Sequence, residues 1–148
     1  MKKTILLLTI LLTTYTYSQD YRTTFSAYTA LNFSKGFELR GEFEDWYLAF
    51  QAENFIKDRD YYTNWGFSLG MIEQINRFYF IYGLRFGFIK TDQNKPSFGI
   101  ETELNYNINK DVFVAVRLAY DTYFDSPSIE YPTSYHMVRP FLKIGYKF

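Results

Sequence analysis

Leu142-Lys143-Ile144-Gly145-Tyr146-Lys147-Phe148 ends the chain with an apolar side chain at every second place and small or cationic ones between. A period of two is the mark of a strand with one greasy and one polar face. A strand kept at full length to the last residue fits a closed barrel, in which the final strand pairs with the first and no sheet edge stays bare. The expectation is a barrel whose apolar stripe meets hydrocarbon.

At the other end, Lys2 and Lys3 precede an apolar run from Ile5 to Leu12, followed by the small and polar stretch Thr13 to Ser18. This three-part layout reads as a signal peptide cleaved about Ser18/Gln19. The run is too short for a spanning helix, which needs about 20 residues. Residues 1–18 are therefore set apart as the signal peptide, and residues 19–148 form one barrel domain.

Aromatic residues make up 22% of the chain and the hydrophobic set 47%. Mean hydropathy is nevertheless −0.25, so apolar and polar residues are interspersed. The mature chain loses Lys2 and Lys3 from its 16 basic residues and keeps all 16 acidic ones, leaving a net charge of −2. Nucleic acid, which wants a strongly basic face, is excluded as a partner. With no cysteine there is neither a disulfide staple nor a thiolate metal site.

On a period of two, eight strands are predicted: Arg22 to Ser34, Phe37 to Glu44, Trp46 to Lys57, Tyr61 to Ile72, Arg77 to Lys90, Ser97 to Ile108, Val112 to Phe124 and Tyr135 to Phe148. Most reach the roughly 9–11 residues that cross a bilayer at a tilt. Turn formers and charges separate them, and the even count suits a single-chain barrel. With the amino terminus in the periplasm, the longest connections, Thr91 to Pro96 and Asp125 to Ser134, face outside. Pro140 and the pair Asn54-Phe55 interrupt the alternation, and a bulge is expected at each.

One face of these strands carries residues such as Phe25, Leu39, Phe50, Phe67, Leu84, Phe98 and Val116, with no charged residue among them. A charge at the bilayer midplane costs about 2–4 kcal/mol, which explains the exclusion. The other face carries Glu38, Arg40, Glu42, Glu53, Arg85, Glu101, Glu103, Arg117, Asp121, Arg139 and Lys143. A soluble barrel of the lipocalin kind would put the apolar set inside instead. Three features oppose that. The polar face is rich in Arg and Glu, which suit bidentate pairing, it is studded with Gly and Ala that relieve crowding, and so many Phe and Trp would overfill an eight-stranded interior.

Together these residues make the chain resemble small Gram-negative outer-membrane β-barrels of the OmpA/OmpX type, across the whole mature length. The resemblance implies a closed all-β eight-stranded antiparallel up-and-down transmembrane barrel with a filled polar lumen. It also implies that Leu142, Ile144, Tyr146 and Phe148 are the signal read by the barrel-assembly machinery. Membrane lipid and lipopolysaccharide are the implied surroundings.

Inside so narrow a barrel the charges should pair with one another and leave no pore. A narrow ion path gated by those pairs is the sharper alternative. Some small outer-membrane barrels modify lipid A with a Ser and a His, and the chain's only histidine, His136, lies near Ser134, with Asp121 or Asp125 across the preceding loop. No motif of those enzyme families is matched. Neither a histidine cluster nor a calcium loop is present, so no metal or cofactor is expected. Trp46, Tyr61, Tyr62, Tyr106, Tyr120, Tyr123, Phe124 and Tyr146 read as interfacial girdles. The functional expectation is a non-enzymatic structural or surface-interaction barrel, alone or as an accessory subunit, whose outer loops can meet a protein partner.

Overall fold

A computed structural model describes residues 21–30, 34–57, 60–90, 94–124 and 134–148. The expected signal peptide and several of the connections, including Asp125 and most of the long Asp125 to Ser134 connection, lie outside the described residues. Eight strands follow in order: β1 (Tyr21–Ala30), β2 (Lys35–Phe43), β3 (Trp46–Lys57), β4 (Asp60–Ile75), β5 (Phe78–Lys90), β6 (Asn94–Asn107), β7 (Val112–Phe124) and β8 (Ser134–Lys147). Each pairs antiparallel with its neighbours, and β8 closes on β1 from Thr24↔Lys147 to Ala30↔Phe141.

The register sets the barrel's shape. From Tyr21, the paired positions run through Phe43, Trp46, Met71, Tyr82, Thr102, Leu118 and Pro140. Pro140 lies one step past the Ala30↔Phe141 pair, so the path closes on β1 ten residues from its start. A shear of ten on eight strands, with a rise of about 3.3 Å and a strand spacing of about 4.8 Å, gives a tilt of about 40°.

The β4–β5 turn is tighter than expected, whereas the β2–β3 turn takes up Glu44 as well as Asp45. Glu73, Gln74 and Ile75 continue β4 and pair with Phe80, Tyr79 and Phe78, leaving only Asn76 and Arg77 between the strands. Asn76 makes that turn possible because it adopts a φ of 59°, which asparagine tolerates better than most residues. At the β2–β3 turn the same demand falls on Glu44, with a φ of 46°.

The bulges expected at Pro140 and Asn54-Phe55 do not form, since the register runs unbroken through both. Asn54 simply continues the outward face and accepts a 2.8 Å hydrogen bond from its cross-strand partner Thr63. On β8, Lys147 donates its N–H towards β7 and Phe148 towards β1. Alternation back along the strand turns the nitrogen of Pro140 towards β1, just beyond Ala30, where it breaks no described pair. Pro96 sits likewise one step beyond the Ser97↔Tyr123 pair.

β1 and β2 are short at the outer end. Ala30 N–H donates to Ser34 O at 2.9 Å and closes their hairpin early. With the shear taken into account, the hairpin stops about four residues, near 10 Å, below the outer ends of the other strands.

Side chains alternate strictly between wall and lumen. Phe67 and Ile100 are 53% and 54% exposed on the outside, whereas Arg40 and Arg117 are fully buried inside. Cross-strand aromatic contacts, Phe25 with Phe37, Phe37 with Phe50, Phe50 with Phe67 and Phe86 with Phe98, tile much of the outer wall. Of the expected girdle, Trp46, Tyr106, Tyr120 and Tyr146 do face outward. Tyr123 instead turns inward beside Ile89 and Met137, with Tyr62 packed against the cluster. Its place on β7 has the parity of Arg117 and Asp121, which decides the matter.

Candidate functional site

Among the described residues, charged side chains converge in the lumen. Every member of the predicted charge set, Glu38, Arg40, Glu42, Glu53, Arg85, Glu101, Glu103, Arg117, Asp121, Arg139 and Lys143, is buried there. Lys147 joins them and, among the described residues, brings the buried cations to six against six carboxylates. That equality matters, because an uncompensated buried charge is strongly destabilising.

The charges fall into tiers. In the middle, Glu38 and Glu103 are bridged by three cations. Arg40 lies 2.7 Å from Glu38 and 2.9 Å from Glu103. Lys143 lies 2.5 Å and 2.9 Å from the same two carboxylates. Arg117 donates its Nε to Glu103 at 2.7 Å and an NH2 to Glu38. Above them, Arg85 reaches Asp121 at 3.1 Å, Glu101 at 3.3 Å and Glu53 at 3.6 Å. Arg139 pairs with both Glu53 and Asp121. Gln51 ties the tiers together, donating to Glu38, Ser68 and Glu101.

Tyr47 joins the tiers from below by donating to Glu101 at 2.6 Å, with the Arg40 guanidinium 4.9 Å over its ring. Its ring and hydroxyl approach the wall where β4 and β5 carry Gly70 and Gly83. A Cβ on Gly83 would come within 2.3 Å of the Tyr47 hydroxyl, so glycine is required there by close approach.

Apolar plugs, absent from the sequence reading, lie above and below. Ile89, Tyr123 and Met137 cluster on the outer side. At the opposite end Tyr47, Ala49, Ile72, Tyr79 and Ile81 cluster, and the Lys147 ammonium sits 4.2 Å over the Tyr79 ring. The void lined by Gln51, Glu53, Asn64, Arg85, Ser97 and Asp121 measures about 10 Å³, the room one water takes. Side chains and their charge pairs therefore fill the lumen around that void.

Of the hydrolytic candidates, Asp121 and His136 are not brought together. Asp121 points into the lumen, where Arg85 and Arg139 hold it, while His136 is on the outer face. The register explains this, since Asp121 opposes Met137 and His136 opposes Thr122. The His136 ring stacks on Tyr120, and Nδ1 lies 2.7 Å from the Tyr120 hydroxyl and 3.2 Å from Thr122 Oγ1. Ser134 pairs with Phe124 at the start of β8, and its side chain and Asp125 lie outside the described residues. Among the described residues, no group of three or more His, Asp or Glu is placed to hold a metal ion.

A closed eight-stranded antiparallel barrel is the architecture of the small outer-membrane barrels. Solved structures of that class superpose on it. The Yersinia pestis outer membrane protein Ail, in a phospholipid bilayer nanodisc, matches with a TM-score of 0.56 and 14% identity over 86% of this chain and 98% of that one. The N-terminal β-barrel domain of Pseudomonas aeruginosa OprF matches with a TM-score of 0.58 and 14% identity, over 88% and 98%. Neisserial surface protein A matches with a TM-score of 0.55 and 11% identity, over 86% and 92%. At such identities the likeness is one of fold. No protein-family model and no curated protein matches the sequence.

Proposed function

We propose that the protein is an integral outer-membrane barrel with a non-enzymatic, structural or surface-interaction role. The observation that carries this reading is the separation of the two faces. Large apolar side chains such as Phe67, Leu84, Ile100 and Val116 stand exposed all round the wall, while the lumen charges neutralise one another. An exposed apolar surface of this extent needs hydrocarbon to cover it. Residues 1–18 would direct export, and the outward alternation of Leu142, Ile144, Tyr146 and Phe148 on the terminal strand suits recognition by the barrel-assembly machinery. The long 125–133 loop is the proposed point of contact with a protein partner or the lipopolysaccharide layer, alone or within a larger assembly.

An epitope inserted between Ser128 and Ile129 tests location and orientation together. It should be reachable by antibody on intact Gram-negative cells, whereas one inserted between Asn76 and Arg77 should be reachable only after the outer membrane is permeabilised. The reverse pattern, or cytoplasmic recovery of both, would overturn the reading.

A further inference from the structure

The extension of β4 past Ile72 brings a carboxylate onto the outer wall. Glu73 stands opposite Phe80 with the outward parity of Leu69 and Met71. Among the described strand residues it is the only carboxylate on the outward face. It does not sit at the rim of that face. Ile75, 62% exposed, lies two residues nearer the turn, about 5 Å lower at the barrel's tilt. Phe78, opposite Ile75, is exposed as well. Glu73 is thus held just inside the apolar band, where an ionised carboxylate is costly unless it is paired.

Tyr82 donates its hydroxyl to Glu73 Oε1 at 3.0 Å and fixes the carboxylate against the wall. One hydrogen bond leaves the charge uncompensated, and among the described residues no lysine or arginine pairs with Glu73. The adjoining turn adds another acid, Asp45, whose backbone carbonyl accepts from the Ile72 N–H at 2.8 Å. From Tyr82 a groove of about 830 Å³ climbs the wall. Trp46, Leu69 and Met71 line its lower part, and it continues past Ile100 and Leu118. Glu101 also borders it but turns its carboxylate into the lumen against Arg85.

We infer that Glu73 and this groove bind a phospholipid with a primary-amine headgroup, in the leaflet at the β4–β5 turn end of the barrel. The inference rests on the membrane-spanning reading proposed above, which makes that leaflet the periplasmic one, and gives it a lipid site. The ammonium supplies the missing positive charge and donates a charge-assisted hydrogen bond to the carboxylate. An acyl chain enters the groove beside Met71 and Tyr82 and follows it to mid-wall, since half of a bilayer's hydrocarbon is about 15 Å deep. An anionic headgroup brings no cation to Glu73 and meets the negative charge of Asp45 besides. A quaternary ammonium brings the charge without an N–H to donate. The carboxylate therefore ranks headgroups by their chemistry, which a bare apolar wall does not.

The test is native mass spectrometry of the mature barrel, folded in detergent and titrated with phosphatidylethanolamine, phosphatidylcholine and phosphatidylglycerol carrying identical acyl chains. Phosphatidylethanolamine should bind about fivefold more tightly than phosphatidylglycerol, with phosphatidylcholine between them. Glu73→Gln keeps an acceptor for Tyr82 while removing the charge, and should erase the ranking. Asp111→Asn, in the β6–β7 turn at the same end, should keep it. Equal binding of the lipids by the wild-type chain, or a ranking that survives Glu73→Gln, overturns the site. If Glu73→Gln does not fold, stepwise N-methylation of phosphatidylethanolamine decides the matter on the wild-type chain. Affinity should fall as methyl groups replace the N–H donors, and unchanged affinity overturns the site. A wild-type chain that takes up neither detergent nor lipid overturns the membrane reading as well, so the two failures are told apart.

Discussion

Arg117 and Glu103 stand directly opposite one another on β7 and β6, and inside the lumen the guanidinium Nε donates to the carboxylate at 2.7 Å. Both are buried, and neither is satisfied by the other alone. Arg117 also reaches Glu38, and Glu103 is shared with Arg40 and Lys143. The pair is therefore the hinge of a network whose net charge is balanced only as a whole.

Arg117→Met leaves a buried carboxylate uncompensated and should lower stability by about 3–5 kcal/mol. The neutral double variant Arg117→Met, Glu103→Met should lose clearly less than the sum of its two single changes. Urea titration of the detergent-folded barrel measures both.

Gly83→Ala should destabilise the barrel, because its Cβ would meet the Tyr47 hydroxyl at 2.3 Å and the Leu69 carbonyl at 2.6 Å. Overpacking of this kind typically costs about 1–3 kcal/mol. Adding Tyr47→Phe removes the first clash and should recover part of the loss. The temperature at which the compact form on unboiled gels gives way to the unfolded one reads the series.

Glu44 occupies left-handed backbone space at φ 46°, where a long side chain is held at a cost. Glu44→Asn should raise stability by about 0.5–1 kcal/mol, with lumen contacts unchanged. A loss on the same urea titration would contradict the turn geometry.

Much of this architecture was legible in the residues. The exclusion of charge from one face of each strand identified the wall, and the mixture of Glu38, Arg40, Glu101 and Arg117 on the other identified the lumen. Register was the part that could not be read. A hairpin's pairing is set by its turn, and the long connection after Phe124 leaves that of β7 and β8 free. The separation of Asp121 from His136 across the wall was legible from alternation, since His136 lies three places before the inward Arg139; the Asp121↔Met137 pairing fixes it. The apolar plugs escaped for another reason. Ile72, Ile89 and Met137 break the polar rule of the inner face, and only their closure of the two ends explains them. Lys147 was legible in principle, since it lies two places beyond Gly145 and four beyond Lys143 on the inward face.

The account's central claim is that the phenylalanine-rich wall faces hydrocarbon. Ile100→Arg, at mid-height on that wall, should cost about 2–4 kcal/mol in a bilayer, whereas Val138→Arg, near its outer edge, should cost about 0–1 kcal/mol. Removing detergent from the purified mature chain is the most direct measurement. The account predicts that the protein precipitates unless vesicles are supplied, into which it inserts as a folded barrel. A monodisperse, folded monomer in plain buffer would contradict it.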